Sequence, residues 1–243
     1  MNIRFDQQTI LVTGATRGIG RQLAVDFESL GGSVIVTGTG KDSPGFVKNG
    51  NFEYYNVDFC NNKQKQGFTE FLESKNKIDV CINNAGINRL NYLEDVEEID
   101  FSEMMRVNLE IPFLITKLVA KKMKTAGYGR IINISSIFGK LSKEKRSVYS
   151  VTKFGIKGLT VSSAIELAKF GVLVNTLSPG FVMTDLTKKN LSPEERQNLS
   201  DLVPAKRMAE PKEISNVALF LASGFNTYIA GQNIIVDGGY TVV

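Results

Sequence analysis

The sequence predicts a single-domain α/β fold, a doubly wound parallel sheet of seven strands with helices on both faces. Three observations predict it. Short, continuous, β-branched apolar runs alternate with longer stretches of helical periodicity. A glycine-rich turn joins the first apolar run to the first helix. No linker, repeat or low-complexity tract interrupts the 243 residues, a length that buries about 70–75% of the unfolded chain's surface.

The elements follow in order. Residues 9–13 read as the first strand, and the glycine turn leads into a helix over 18–30. A strand over 33–37 is followed by GTGKDSPGFVKNGN, which reads as a loop where a helix would normally cross. Next come a strand at 52–57, a helix at 62–74 and a strand at 79–83. The pattern over 101–125 is one long helix, before a strand at 130–135 and a helix at 147–170. A strand at 172–177 leads into residues 178–210, an irregular stretch with LSPEER as a helix start and a candidate lid over a substrate site. A helix at 211–222 and a strand at 233–236 complete the pattern. Most strands are apolar throughout rather than alternating, as strands buried on both faces require.

Composition excludes several function classes. Lys+Arg 29 against Asp+Glu 25 leaves a net charge of +4, too mild and too scattered for nucleic-acid binding. The densest basic run, KLVAKKMK, reads as a solvated helix face. Cys60 and Cys81 have no metal-ligand spacing and there is no histidine, so no metal site is expected; Cys81 reads as a buried thiol. The first 20 residues lack a signal-peptide pattern, and no apolar stretch reaches the ~18 residues of a membrane span. A soluble, cytoplasmic protein is expected.

The first strand–helix junction is TGATRGIG, with Gly14, Gly18 and Gly20. Residues without Cβ allow a tight turn and close backbone approach to a pyrophosphate, while the helix N-terminus offers N–H donors. The spacing is GxxxGxG and no Gly-Lys-Ser/Thr follows, so this is not an ATPase-type phosphate loop. After the second strand, Gly38 and Thr39 stand where an NAD site would place an acid. No carboxylate there repels a ribose 2′-phosphate, and Arg17 and Lys41 are close in sequence. NADP(H) is therefore preferred to NAD(H). The alternative is that Arg17 and Lys41 are merely solvated.

Without histidine, acid–base chemistry falls to Tyr, Lys, Ser or a carboxylate. Tyr149 and Lys153, at i and i+4, share one helix face, and Ser136 closes the strand run RIINISS. A free phenol has a pKa near 10, and a neighbouring ammonium favours the phenolate. Tyr149 then serves as general base in alcohol oxidation or general acid in ketone reduction, with Ser136 holding the substrate oxygen. A lone Tyr-x-x-x-Lys is a frequent surface pair.

Taken together, TGATRGIG, NNAG at 83–86, Asn108 in RVNLEIP, ISS with Ser136, YSVTK with Tyr149 and Lys153, and SPGFVMT at 178–184 resemble the short-chain dehydrogenase/reductase family, in order and over essentially the whole chain. The resemblance implies a Rossmann fold and a catalytic tetrad of Asn108, Ser136, Tyr149 and Lys153, with Asn108 anchoring a water that links Lys153 to solvent. It implies a cofactor turn of Gly14, Thr16, Arg17, Gly18, Ile19 and Gly20, and adenine contacts from Asp58 and Phe59. Asn84, Ala85 and Gly86 would line the cofactor, while Pro179, Gly180, Val182 and Thr184 would cover the nicotinamide. A homotetramer or homodimer is expected.

The nearest subgroup in style is the 3-oxoacyl-carrier-protein reductases. Two features depart from it. Gly127 and Phe170 stand where that subgroup places carrier-docking arginines. Lys143, Lys145 and Arg146 precede Tyr149 where smaller residues are common. These charges either line the substrate mouth, favouring a sugar or sugar phosphate, or belong to a solvated loop. The expectation is an NADP(H)-dependent oxidoreductase on a carbonyl or secondary alcohol, a 3-oxoacyl thioester or alternatively a sugar. The alternative of another class is a non-catalytic NADP-binding sensor or assembly protein.

Overall fold

The computed structural model describes residues 2–243. The seven apolar runs form β1 (Thr9–Val12), β2 (Ser33–Gly38), β3 (Phe52–Asn56), β4 (Val80–Asn83), β5 (Gly129–Ile134), β6 (Val172–Pro179) and β7 (Asn233–Val236). They make one sheet in the order β3-β2-β1-β4-β5-β6-β7, with every neighbouring pair parallel. The order reverses between β1 and β4, which opens a crevice at their carboxyl ends.

The continuous apolar runs are explained by two cores. Ile10 and Val12 enter one and Leu11 the other; Val34 and Val36 oppose Ile35, and Val80 and Ile82 oppose Cys81. Helices α1 (Gly18–Ser29) and α8 (Pro211–Ala222) cover the first core through Leu23, Phe27, Ile214 and Ala218. The second core lies under α2 (Asn62–Ser74), α4 (Ile111–Ala126) and α5 (Ser147–Leu167). Each fully buried aliphatic side chain contributes about 1.5–3 kcal/mol. Among the described residues, no helix is long and apolar enough to cross a membrane.

Three expectations change. The stretch after β2 is not wholly loop: Gly45–Asn49 forms a 3-10 helix. The Val47 side chain is buried in the first core, and Phe46 packs edge-on to Phe52 at 5.4 Å, which supplies the burial that a short Gly- and Pro-rich segment needs to hold a turn. The long helix over 101–125 is broken into α3 (Glu98–Met105), a π turn at Arg106–Glu110, and α4. Pro112 has no N–H, so the Asn108 carbonyl finds no donor four residues ahead. The Ile111 N–H bonds instead to the Arg106 carbonyl, five residues back. Finally, β6 runs two residues beyond the expected end, because Ser178 and Pro179 pair with Ile235 and Val236 and Ser178 Oγ donates to Asn233 Oδ1 at 2.6 Å.

After β6 come α6 (Asp185–Asn190) and α7 (Pro193–Asp201). The LSPEER start is a full capping box: Glu195 N donates to Ser192 Oγ at 3.1 Å, and Ser192 N donates to Glu195 Oε2 at 2.7 Å.

Candidate active site

The carboxyl ends of β1, β4, β5 and β6 gather nearly all the residues singled out in the sequence. Gly14 follows β1 with φ +62, and a Cβ there would stand 2.8 Å from the Ala85 Cα. At Gly20 a Cβ would meet the Gly14 carbonyl and Asn84 Nδ2. Both positions therefore exclude side chains for steric reasons, and Gly14 also for conformational ones. Asn84 braces the turn: Nδ2 donates to the Thr13 and Gly14 carbonyls at 2.9 and 3.0 Å. Thr13 Oγ1 accepts from the N–H groups of Asn84 and Ala85, both at 3.0 Å. Gly14 N donates to Thr37 Oγ1 at 3.1 Å.

Arg17 is the N-cap of α1, exposed, and its side chain caps nothing, so the first-turn N–H groups after it are left for a ligand. The turn thus fits a dinucleotide pyrophosphate. Thr184 closes the far side, since a Cβ on Gly18 would lie 3.4 Å from Thr184 Cγ2. Thr184 Oγ1 accepts from Thr187 N at 3.1 Å and caps α6. Val182 is buried, bridged to Ala209, and Pro179 lies inside β6; Gly180 N bonds to the Val236 carbonyl at 2.9 Å. Thr16 abuts Gly38, where a Cβ would clash with the Thr16 methyl; Ile19 packs against the first core.

The stretch after β2 is held from below. Tyr54 Oη and Asn56 Nδ2 donate to the Gly40 carbonyl at 2.5 and 2.6 Å. Thr39 and Lys41 stay exposed, and residues 38–41 carry no carboxylate. Asp58 is exposed, its Oδ1 accepting from Cys60 N at 2.9 Å. The Phe59 ring is buried in the second core, 5.6 Å from that of Phe68.

Ser136 follows β5 in extended conformation and accepts from Phe138 N at 3.2 Å. One face of α5 presents Tyr149 and Lys153 to it. Two bonds pin α5 to the end of β5: Ser135 Oγ donates to the Lys153 carbonyl at 3.0 Å, and Lys153 Nζ donates to the Ile134 carbonyl at 2.9 Å. Asn108 is 1% exposed in the π turn. Its Nδ2 donates to the Ile87 carbonyl at 2.8 Å and to Thr152 Oγ1 at 3.2 Å, and its Oδ1 accepts from Ile87 N at 2.8 Å. A Cβ on Gly86 would lie 3.4 Å from Asn108 Oδ1 and 3.7 Å from Lys153 Nζ, so Gly86 keeps open the space on which they converge.

The electrostatics differ from the simple picture of an ammonium beside a phenol. Burial raises the Tyr149 hydroxyl above its ordinary value, while a Ser136 hydrogen bond and the Arg146 charge pull it back. Burial lowers Lys153 to about 8. Lys153 Nζ stands 5.5 Å from the Tyr149 ring centroid, bonded to a neutral carbonyl. The basic run before Tyr149 also divides. Lys143 and Lys145 are exposed, with Lys145 Nζ turned onto the Tyr92 ring at 4.5 Å. Only Arg146 is half-buried, over Phe138 at 5.0 Å and Tyr149 at 5.9 Å.

Sequence reasoning missed Thr13, Thr37, Tyr54, Asn56, Ser135 and Thr152, which orient the others. Only Pro112 left a local signal, four residues after Asn108. Among the described residues no cluster of His, Cys, Asp or Glu holds a metal. Cys81 is fully buried and its thiol is pushed above its ordinary value by that burial.

A family model described as Enoyl-(Acyl carrier protein) reductase matches residues 14–241. The 3-oxoacyl-acyl-carrier-protein reductase of Aquifex aeolicus is 38% identical over 247 residues, covering 98% of this chain and 99% of that protein. A putative gluconate dehydrogenase from Agrobacterium tumefaciens superposes with a TM-score of 0.91 at 31% identity, covering 99% and 98% of the two chains. A gluconate 5-dehydrogenase from Burkholderia cenocepacia, solved with NADP and tartrate, has a TM-score of 0.90 at 29% identity, covering 99% and 97%.

Proposed function

Because this chain belongs to the short-chain dehydrogenase/reductase family, we propose that it works as an NADP(H)-dependent carbonyl reductase or alcohol dehydrogenase with Tyr149 as the proton-carrying group. Membership makes it an NAD(P)-dependent oxidoreductase acting on C=O or CH–OH groups. The observation that carries the proton assignment is the meeting of Ser136, Tyr149 and Lys153 at the carboxyl end of β5, beside the glycine turn and Asn108.

The turn from Gly14 to Gly20 binds the pyrophosphate, and Asp58 meets the adenine edge. Arg17, Thr39 and Lys41 receive the 2′-phosphate, for which the absence of an acid at 38–41 is the support. When bound, the nicotinamide supplies or accepts the hydride. Ser136 Oγ holds the substrate oxygen against Tyr149 Oη. In reduction Tyr149 gives that oxygen its proton; in oxidation the phenolate removes it, a contribution of ~10²–10⁴-fold. Lys153 and Asn108, converging at Gly86, return the proton toward solvent. Pro179, Gly180, Val182 and Thr184 form the wall over the nicotinamide, and α6 and α7 serve as the lid.

The substrate reading is a 3-oxoacyl thioester. Gly127 and Phe170 carry no charge, yet Lys124 Nζ and Lys169 Nζ lie over the Phe170 ring at 4.3 and 5.2 Å. These two exposed lysines give the same patch a basic character suited to an acidic carrier protein. A second reading, a hydroxy or keto sugar, rests on the inward Arg146 and on the similarity to gluconate dehydrogenases. An acetoacetyl thioester assayed beside keto sugars separates the two.

The protein is further proposed to be cytoplasmic and a homotetramer or homodimer. Phe101, Phe113, Val151, Phe154 and Ile165 are exposed apolar residues along α3, α4 and α5, a face that a second copy would cover. Tyr149→Phe tests the central claim: turnover should fall by at least ~10²-fold while NADPH still binds. Retained turnover would sink it.

A further inference from the structure

Arg146 has no part in the proton-transfer roles proposed for Ser136, Tyr149, Lys153 and Asn108, and only the sugar reading of the substrate draws on it. It is the residue before α5 and the only inward member of the run from Lys143 to Arg146. Its guanidinium carbon lies 5.0 Å from the Phe138 ring centroid and 5.9 Å from that of Tyr149. The two rings meet edge to face, 6.4 Å apart and at 71°, and the guanidinium sits against both. No carboxylate neutralises it: among the described residues the Arg146 side chain makes no salt bridge and no hydrogen bond to the protein. Its charge is therefore available to its neighbours, in a half-buried position where solvent screens it only in part.

A cation near an aromatic face is attracted by the ring's π electrons. That attraction strengthens when the phenol loses its proton, because the phenolate spreads negative charge over the ring. An interaction stronger with the phenolate than with the phenol lowers the energy needed to ionise Tyr149. Lys153 serves this purpose less well as pH rises, because burial holds it near 8 and its charge is lost above that value. Burial also pulls the Arg146 guanidinium down, with the neighbouring phenol pushing it back up, but an arginine starts from a value above 12 and keeps its proton at pH values where Lys153 has lost its own. The other groups facing Tyr149 are the Ser136 hydroxyl, which also favours the phenolate, Lys153 Nζ at 5.5 Å from the ring centroid, and Phe138; no carboxylate acts on the phenol.

We propose that Arg146 is a positioning residue for proton transfer: its unpaired guanidinium, seated against the Phe138 and Tyr149 rings, fixes the Tyr149 ring and favours its phenolate. The proposal rests on Tyr149 being the proton-carrying group, and the test keeps the two separable.

The chain contains no tryptophan and seven tyrosines, so tyrosinate absorbance is read without an indole background. Subtracting the alkaline titration of Tyr149→Phe from that of the parent protein, each saturated with NADP⁺, isolates the Tyr149 ionisation. Arg146→Met keeps the bulk and removes the charge, and its Tyr149 midpoint should rise by roughly half to one and a half pH units. Arg146→Lys should fall between Met and wild type. Lys145→Met, whose ammonium is turned onto Tyr92, should match wild type. Should Arg146→Met not fold, Arg146→Gln takes its place in the comparison. The pH midpoint of kcat/KM for alcohol oxidation should move in step with the titration. Equal midpoints in wild type, Arg146→Met and Arg146→Lys would overturn the proposal. Turnover by Tyr149→Phe would instead defeat the underlying proton assignment, whatever the midpoints.

Discussion

The Asn108 carboxamide is bonded to both backbone groups of Ile87, Nδ2 to the carbonyl and Oδ1 to the N–H, each at 2.8 Å. One side chain thus clamps the loop after β4 to the π turn, next to Gly86, where Lys153 also points. Asn108→Ala removes the partners of both groups. It is expected to cost about 2 kcal/mol in urea unfolding and to lower turnover at least ~10-fold, because the loop lining the cofactor loses its tether. A variant as stable and active as wild type would show that the clamp has no such role.

Lys153 sets a pH dependence of stability. Its pKa falls from 10.5 in the unfolded chain to about 8 in the fold. Between those values the unfolded chain holds the extra proton, so stability contributed at this site rises with pH from about 8 to 10.5. Below about 8 both states are charged and the full cost of burying the ammonium is present, about 3 kcal/mol at ~1.4 kcal/mol per pH unit. Lys153→Met should therefore unfold at higher urea concentration than wild type at pH 7, with the gap closing by pH 10. A gap independent of pH would contradict this.

Cofactor choice is tested at the carboxyl end of β2. Arg17→Ala should weaken NADPH binding by about 10-fold or more and leave NADH nearly unaffected, since only the phosphate loses a charged partner. Thr39→Asp should reverse the preference by repelling the 2′-phosphate and accepting from a ribose hydroxyl. Fluorescence titration of both cofactors reads each change. Tighter NADH than NADPH binding by wild type would refute the assignment.

The lysines over Phe170 predict how a carrier is met. Lys124→Glu with Lys169→Glu should raise KM for a carrier-bound 3-oxoacyl substrate at least ~10-fold, and more at low salt. KM for the same acyl group on a small thiol should be unaffected. Equal effects on both substrates would remove the docking role.

Much was legible in the chain. The continuous apolar runs predicted strands buried twice over, and the two cores show why: Leu11 and Ile10 need opposite cover. Gly14 and Gly20 were legible because a steric demand at a strand–helix junction leaves a residue type behind. Tyr149 and Lys153 were placed by their helical spacing. The break at Asn108 was carried by a single proline whose meaning depended on which carbonyl it deprived. The short helix at Gly45–Asn49 escaped notice because part of its support comes from distant residues and not from its own composition: Val47 is buried in the first core, and Arg21 lies over the Phe46 ring at 5.4 Å.

The sequence alone determined the fold class, the glycine-rich turn at the first strand–helix junction and the residue types available for proton transfer, since each depends on local periodicity, sterics or chemistry. The tertiary structure decided which charge acts on which group. Burial lowers the pKa of Lys153 to about 8, and the basic run separates into exposed lysines and one inward arginine. Those outcomes depend on desolvation and on distances between residues of different elements, and neither quantity is written in the order of residues along a chain.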